Sequence, residues 1–239
     1  MTRIFVSDLH LNDIEEPRFQ CFAELLEVEA TRASAIYLLG DLTEVWVGDD
    51  DDGTLAVALQ EVLARAAQRC PVYLMHGNRD FMIGQQFAER TGIELIDDPY
   101  LLEADTLLAH GDAFCVDDVD YQRLRATLRS EVWQADILAR SLEERRAFAR
   151  GLREQSRSSN ANKAENIMDV SVTEIASVMA SRQVSRLIHG HTHRPGVHTE
   201  PWGKRYVLGA WERCGWLLRW GASSEPRLEC FPLTGHYGT

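Results

Sequence analysis

The sequence predicts a layered α/β fold that carries an inserted helical cap. Short apolar runs alternate with segments of helical spacing from residue 3 to residue 110, and residues of metal-ligating type end one run after another. From about residue 118 to 182 the alternation stops, and Leu, Ala, Arg and Glu dominate with few strand formers. Strands alternating with helices build layered sheets whose sites lie at the carboxyl ends of the strands.

Residues 3–7 read as a short buried strand, and 16–30 follow with helical spacing at Phe19, Phe22, Leu25 and Leu26. Residues 35–39 form a second strand, stopped by Gly40-Asp41. The acidic run Asp49, Asp50, Asp51, Asp52 reads as a solvated loop with N-terminal helix charge. Beyond it Leu55, Val57, Leu59, Val62 and Leu63 mark a second helix reaching about residue 69. A third strand, 71–75, ends in Gly77-Asn78-Arg79-Asp80, and another, 106–109, ends in His110-Gly111-Asp112. The apolar run at 186–188 ends in His189-Gly190-His191-Thr192-His193, three of the chain's eight histidines within five residues. Strands return at 206–208, 215–218 and 228–231. With no internal repeat and no low-complexity linker, the chain reads as a single domain, 1–239, with the helical cap inserted at about 118–182.

The 239 residues, 45% of them apolar, are ample for one buried core. A formal charge of −12 opposes binding to a polyanion, so no nucleic-acid partner is expected. The first residues lack an apolar region followed by a small-residue cleavage site, and no stretch reaches the roughly 18 apolar residues that span a bilayer. A cytosolic protein, or one attached only to a membrane surface, follows. Cys21, Cys70, Cys115, Cys214 and Cys230 are odd in number and form no C-x-x-C pair, which fits reduced thiols rather than a disulfide framework. Residues 121–157 hold nine arginines against five acidic residues, and the plain reading is solvated helix faces with Arg and Glu pairs.

Five predicted strands end in candidate metal ligands: Asp8 and His10, Asp41, Asn78, His110, then His191 and His193. Each alone has a plain explanation as a cap, a turn or a hydrogen-bonded histidine. Independent accidents do not repeat that placement strand after strand. Seven ligands exceed the four that close a zinc site and suit two ions sharing a carboxylate, roughly 3.5–4 Å apart, which lower the pKa of bound water and stabilise charge in an in-line displacement. Oxygen and imidazole without thiolate suit Mn, Fe, Co or Zn better than Mg. Hydrolysis of a phosphate ester or anhydride is the reaction class this chemistry predicts. Parity alone leaves His189, His191 and His193 equivalent, since all three fall on one side of an extended segment.

The series Asp8-Leu9-His10, Gly40-Asp41, Gly77-Asn78, His110-Gly111 and Gly190-His191-Thr192-His193 resembles the calcineurin-like metallophosphoesterases over nearly the whole chain. The resemblance implies a four-layer αββα sandwich, with two facing sheets between helices. It implies that Asp8, His10, Asp41 and His193 hold one ion, that Asp41, Asn78, His110 and His191 hold the other, and that Asp41 bridges them. His189 is left as a strand-end residue. Most of that family reads Gly-Asn-His where this chain has Gly77-Asn78-Arg79. Arginine does not donate a proton at neutral pH, but its fork clamps phosphate oxygens, which suits a phosphate leaving group and hence a pyrophosphate substrate.

A narrower resemblance, to the UDP-2,3-diacylglucosamine hydrolases of bacterial lipid A synthesis, rests on Gly77-Asn78-Arg79-Asp80, on His110-Gly111-Asp112 followed by Asp117-Asp118-Val119-Asp120-Tyr121, and on Ile167-Met168-Asp169-Val170. It implies a Mn²⁺-dependent pyrophosphatase that acts on an acylated UDP-sugar at the cytoplasmic face of the inner membrane, held peripherally. Attack falls on the UMP-side phosphorus, and no obligate protein partner is implied. Catalytic roles fall on Asp41, Asn78, Arg79 and His191. Substrate contacts fall on Asn78, Arg79, Asp118, Ser156, Asn160, Lys163 and His191. Leu124, Leu128, Val132, Trp133 and Leu138 are read as lining an acyl groove or packing the cap onto the core. The runner-up is a soluble metallophosphoesterase acting on another nucleotide pyrophosphate or phosphodiester, and the third reading is a scaffold that has lost catalysis.

Overall fold

The computed structural model of the chain describes residues 2–160 and 169–237, with side chains described to residue 154 and again from 169. Among the described residues the strands are β1 (Thr2–Val6), β2 (Ala33–Leu39), β3 (Val72–Met75), β4 (Glu94–Ile96), β5 (Tyr100–Leu102), β6 (Thr106–Ala109), β7 (Arg186–His189), β8 (Gly196–Glu200), β9 (Gly203–Val207), β10 (Cys214–Gly221) and β11 (Arg227–Pro232). The helices are α1 (Pro17–Glu29), α2 (Thr54–Ala67), α3 (Gln85–Thr91), α4 (Val119–Leu128), α5 (Glu131–Leu138), α6 (Leu142–Asn160) and α7 (Val172–Arg182).

One sheet runs β11-β10-β1-β2-β3-β4 and the other β5-β6-β7-β9-β8. β1, β2, β3 and β4 are mutually parallel, as are β6, β7 and β9. The apolar runs sort by parity, because successive strand residues point to opposite faces. Ile4, Val6, Ile36, Leu38, Val72 and Leu74 join Phe22, Leu25, Leu59 and Leu63 of α1 and α2 in one buried cluster. Phe5, Tyr37, Leu39 and Met75 join Leu108, Ile188 and Tyr206 in a second cluster between the sheets. Leu107, Ala109 and Leu187 join Ile175 and Met179 of α7 in a third. The layers are therefore helix, sheet, sheet, helix. Strands covered on both faces read as continuous apolar runs, which is why they stand out in the sequence. Each Val, Leu, Ile, Phe or Met among them, fully buried, is worth about 1.5–3 kcal/mol.

α7 forms the outer layer over the second sheet, so the helices standing over the strand ends are α4, α5 and α6. α3, β4, β5 and β8 were not legible in the sequence: the first three, of seven, three and three residues, show no period, and β8 is an edge strand that is largely exposed. The acidic run is also more than a solvated loop, and this corrects that expectation. The Asp49 carboxylate accepts the backbone N–H groups of Gly84 and Phe87, both at 2.9 Å, at the start of α3. Arg145 of α6 is 3% exposed; it donates to the Val47 carbonyl at 2.6 Å and to Asp50 Oδ1 at 2.7 Å. Its neighbour Arg146 pairs with Asp51 and Asp52. The run is the platform on which α6 is fastened.

Candidate metal centre

Five of the seven ligand-type residues, all but Asn78 and His110, take left-handed backbone beyond their strands. Asp8, His10, Asp41, His191 and His193 have φ of 56°, 49°, 53°, 67° and 56°, five of the seven positive-φ residues other than glycine among those described. Such backbone costs on the order of 1–3 kcal/mol per residue and persists where surrounding contacts impose it. Here the contacts are visible. Asp8 N–H donates to the Gly40 carbonyl at 3.1 Å, His10 N–H to the Asp41 carbonyl at 3.0 Å, and Gly190 N–H to the His110 carbonyl at 2.8 Å. The glycines beside the ligands are fixed by close approach. A Cβ on Gly77 would lie 2.2 Å from Asp41 Oδ1, and one on Gly190 would lie 2.0 Å from Ser7 Oγ.

Among the described residues two groups of donor atoms result, each with its atoms within 4.8 Å of one another: Asp8, His10 and His193, and Asp8, Asp41 and His110. His10 Nε2 and His193 Nε2 are 3.1 Å apart, and His193 Nε2 is 3.5 Å from Asp8 Oδ1. Asp41 turns Oδ2 to within 3.8 Å of His10 Nε2 and Oδ1 to within 3.7 Å of His110 Nε2, one oxygen toward each half. Asn78 Oδ1 lies 3.1 Å from His110 Nε2 and 3.0 Å from His191 Nδ1. His110 Nδ1 faces the Leu39 carbonyl at 2.9 Å, so the proton of a neutral ring sits there and Nε2 offers its lone pair inward. Both sheets meet at this point, for the Asp8 carboxylate accepts the His191 backbone N–H at 2.9 Å.

The electrostatics show what the donor set lacks. Asp8, Asp41 and His110 are no more than 1% exposed. Burial alone raises a carboxyl, and at Asp41 burial wins. At Asp8 burial is outweighed by the hydrogen bond with His193 and by the nearby imidazoles, which hold it well below the usual range. Burial pushes His110 down, but Asp41, Asp8, Asp112 and Asp98 raise it to about 9, while burial lowers His191 to about 3 and His189 to about 4. Buried carboxylates beside imidazole lone pairs need positive charge, from protons or from cations. The converging Asn78 oxygen and ring nitrogens are what divalent cations require, so the donor chemistry fits them. The rotated Asn78 amide would instead point its NH₂ at the two rings and its oxygen at Arg79 Nε, 3.2 Å away.

Arg79 N–H donates to Asp41 Oδ1 at 2.8 Å, and its side-chain Nε lies 3.7 Å from Asp41 Oδ2. Asp80 does not hold that guanidinium: its carboxylate accepts Leu42 N–H at 2.6 Å and Gly77 N–H at 2.7 Å, tying the ends of β2 and β3 together. Asp118 caps α4, accepting Tyr121 N–H at 3.1 Å. Ser156 and Asn160 belong to α6, with side chains outside the described set, and Lys163 lies outside the described residues. Neither His189 nor His191 is in either donor group; His191 joins the centre through Asn78 and its backbone N–H to Asp8, whereas His189 is fully buried with its Nδ1 2.9 Å from the Gly190 carbonyl. A cavity under the cap opens onto Asn78 and Arg79 and is lined by Trp46, Leu124, Leu128, Trp133 and Phe148. Val132 and Leu138, expected in such a groove, are 83% and 46% exposed and stand outside it.

Sequence reasoning missed the residues that surround the ligands: Glu44, whose carboxylate lies 3.3 Å from His10 Nδ1; Ser7, which donates to Asp8; and Asp98, which accepts the His110 N–H at 3.1 Å. Their types at those positions have no distinguishing spacing. Asp80 and Asp112 did stand in the quoted motifs, as alternative ion-pair partners for Arg79; instead Asp80 accepts the Leu42 and Gly77 N–H groups, and Asp112 pairs with Arg125 and Arg129.

The calcineurin-like phosphoesterase family matches residues 1–195. The chain is 43% identical over 241 residues to a UDP-2,3-diacylglucosamine hydrolase of Chromohalobacter salexigens, covering 97% of this chain and 98% of that one. It is 41% identical over 227 residues to one of Cellvibrio japonicus, covering 91% and 94%, and 43% identical over 223 residues to one of Chromobacterium violaceum, covering 90% and 93%. With its donor residues set at the strand ends of a two-sheet sandwich and its match to these relatives nearly end to end, the chain belongs to the calcineurin-like phosphoesterase family, among the UDP-2,3-diacylglucosamine hydrolases.

Proposed function

We propose that this protein hydrolyses the pyrophosphate bond of UDP-2,3-diacylglucosamine, releasing UMP and 2,3-diacylglucosamine 1-phosphate, with water attacking the UMP-side phosphorus. The observation that carries the reading is the cavity under α4–α6, apolar along Trp46, Leu124, Leu128, Trp133 and Phe148 and polar where it meets Asn78 and Arg79. A diacylated sugar nucleotide needs that juxtaposition of greasy and anionic subsites, and a small soluble phosphodiester does not.

Asp8, His10, Asp41 and His193 would hold one divalent ion, and Asp41, Asn78, His110 and His191 the other; mixed oxygen and imidazole donors suit Mn, Fe, Co or Zn, and the likeness to the UDP-2,3-diacylglucosamine hydrolases is the reason we assign Mn²⁺. Bound ions of this kind supply Lewis acidity, lowering the pKa of water and stabilising charge on phosphoryl oxygens. The chain's own part is positioning. Arg79 forks two donors onto the diphosphate, Asn78 and His191 orient the phosphoryl group, and Asp118, Ser156, Asn160 and Lys163 contact the substrate from the cap. The leaving group is a phosphate monoester that departs without an acid, which is consistent with arginine at position 79.

No described helix is long and apolar enough to cross a membrane. On the cap, Val119, Val132 and Leu138 are exposed, with Arg123 and Arg140 near them in sequence, 78% and 45% exposed and paired with Asp120 and Asp136. Exposed apolar tips beside arginines suit a peripheral contact with a lipid surface, and we assign that contact to the cytoplasmic face of the inner membrane.

The test is UMP release by purified protein with Mn²⁺, from UDP-2,3-diacylglucosamine and from the same nucleotide sugar without acyl chains. The expected result is a kcat/KM at least about 100-fold higher for the diacyl substrate, the equivalent of burying a few methylenes at about 0.8 kcal/mol each. Equal rates on both would replace the lipid reading with the soluble one.

A further inference from the structure

α4 buries none of its residues fully, and its Val119 and Leu124 are 52% and 46% exposed. Apolar packing does not account for where it sits. Its polar side chains do, and they reach the loops that bear three ligand-type residues. Tyr121 Oη donates to Asp112 Oδ2 at 2.5 Å, Arg125 Nε donates to the same oxygen at 2.8 Å, and Gln122 Nε2 donates to the Asp112 carbonyl at 2.8 Å. Asp112 is fully buried and stands two residues beyond His110. Arg125 also lies 3.5 Å from Asp98 Oδ2, and the other oxygen of Asp98 accepts the His110 N–H. Arg129, just past the helix, donates to the Gly77 carbonyl at 2.9 Å, immediately before Asn78. The Tyr121 ring faces the His191 imidazole, with centroids 6.3 Å apart and planes 25° apart.

The other half of the centre is held differently. His10 lies 3.3 Å from Glu44, which pairs with Arg153 of α6, and His193 lies 3.5 Å from Asp8 and 3.9 Å from Glu212. Groups that orient metal-ligating side chains from outside the coordination sphere change metal affinity by roughly 10–100-fold when removed.

We propose that Tyr121, Arg125 and Arg129 are positioning residues that set the geometry of His191, His110 and Asn78, coupling the α4 arm of the cap to one half of the metal centre and not to the other. The coupling is reciprocal: whatever moves α4 over the cavity changes cation affinity at that half, and a cation there fixes α4. The inference rests on the di-metal reading above. It adds a role for cap residues that touch neither ion.

The experiment measures Mn²⁺ binding to metal-stripped protein by calorimetry, with the spin coupling of the manganese pair read by electron paramagnetic resonance. Wild-type protein is expected to bind two equivalents. Arg125→Ala and Arg129→Ala should each weaken one equivalent 10–100-fold and leave the other within about 3-fold, with the coupled-pair signal lost at intermediate Mn²⁺. Arg125→Lys, which keeps a charge beside Asp112, and Tyr121→Phe, which keeps the ring, should show a smaller shift in the same equivalent. Both equivalents binding as in wild type, or both weakening together in the Lys and Phe variants, would overturn the proposal. Wild-type protein that binds fewer than two equivalents would overturn the di-metal reading itself, and the coupling with it.

Discussion

Replacing Arg79 by alanine isolates the guanidinium, because the backbone contribution of the residue survives. The Arg79 N–H stays on Asp41 Oδ1 at 2.8 Å, and Asp80 keeps its two backbone bonds to Leu42 and Gly77, so the loop has no reason to move. What disappears is a side chain 21% exposed that lines the cavity beside Asn78. Against a diphosphate that side chain forks two donors onto charged oxygens. A hydrogen bond to a charged group is worth about 1.5–3 kcal/mol, so two are worth about 3–6 kcal/mol. At 1.36 kcal/mol per decade, kcat/KM for UMP release should fall roughly 10²–10⁴-fold. Arg79→Lys restores a point charge without the fork and should recover only part of that loss. The assay is steady-state UMP release, with bound metal counted by elemental analysis on the same samples. Metal loss in the alanine variant would mean that Arg79 supports the ligands, and a lysine variant as fast as wild type would mean that only charge matters; either result refutes the clamp.

Asp41→Ala should reduce turnover at least about 10³-fold and lower the bound metal, since one carboxylate oxygen faces each half of the centre; full metal content in this variant would contradict its placement between them. Among the three clustered histidines, His189→Gln should be the mildest, with less than about a tenfold loss of rate, because its hydrogen bond runs to the Gly190 carbonyl and a glutamine amide can replace it. His191→Gln and His193→Gln should each cost at least about 100-fold, and a parallel set of kcat values decides it. Stability below neutral pH should be governed partly by Glu29, at the end of α1, which accepts from Arg219 at 2.9 and 3.0 Å and from Tyr237 at 2.6 Å. Burial alone would raise this carboxyl, but hydrogen bonds from Arg219, Arg32 and Tyr237 hold it at about 2, against 4.5 for the free side chain. A depressed carboxyl stabilises the fold above its unfolded pKa, and the contribution is lost as pH falls from 4.5 toward 2. The upper limit is about 3 kcal/mol, because the Arg32 side chain is 58% exposed and solvent screens its share. Denaturant unfolding from pH 7 to pH 2.5 should show that slope in wild type and a flatter one in Glu29→Gln.

The strands that carry the site were legible because both faces of each are covered. Residues 4–6, 36–39 and 107–109 could be read as unbroken apolar runs, and the ligand-type residues follow where those runs stop. The layer order was legible only through the family resemblance, since parity tells that Ile4 and Phe5 face opposite ways but not what each meets. β4 and β5 are too short to show a period, and the role of α7 is hidden because its spacing matches that of any amphipathic cap helix. The supports of the centre were illegible for a different reason. Glu44, Asp98 and Asp112 act through tertiary contacts 34 residues away or between loops from different sheets and helices, as in Glu44 beside His10 and Asp112 beneath Arg125. The acidic run at 49–52 was read as solvated because its partners, Arg145 and Arg146, lie more than ninety residues further along the chain.

A single turnover of UDP-2,3-diacylglucosamine in H₂¹⁸O with Mn²⁺ tests the central claim most directly, with both products weighed by mass spectrometry. Attack on the UMP-side phosphorus predicts one ¹⁸O in UMP and none in the 2,3-diacylglucosamine 1-phosphate; label in the lipid phosphate, or an intact pyrophosphate after saturation with Mn²⁺, would contradict it.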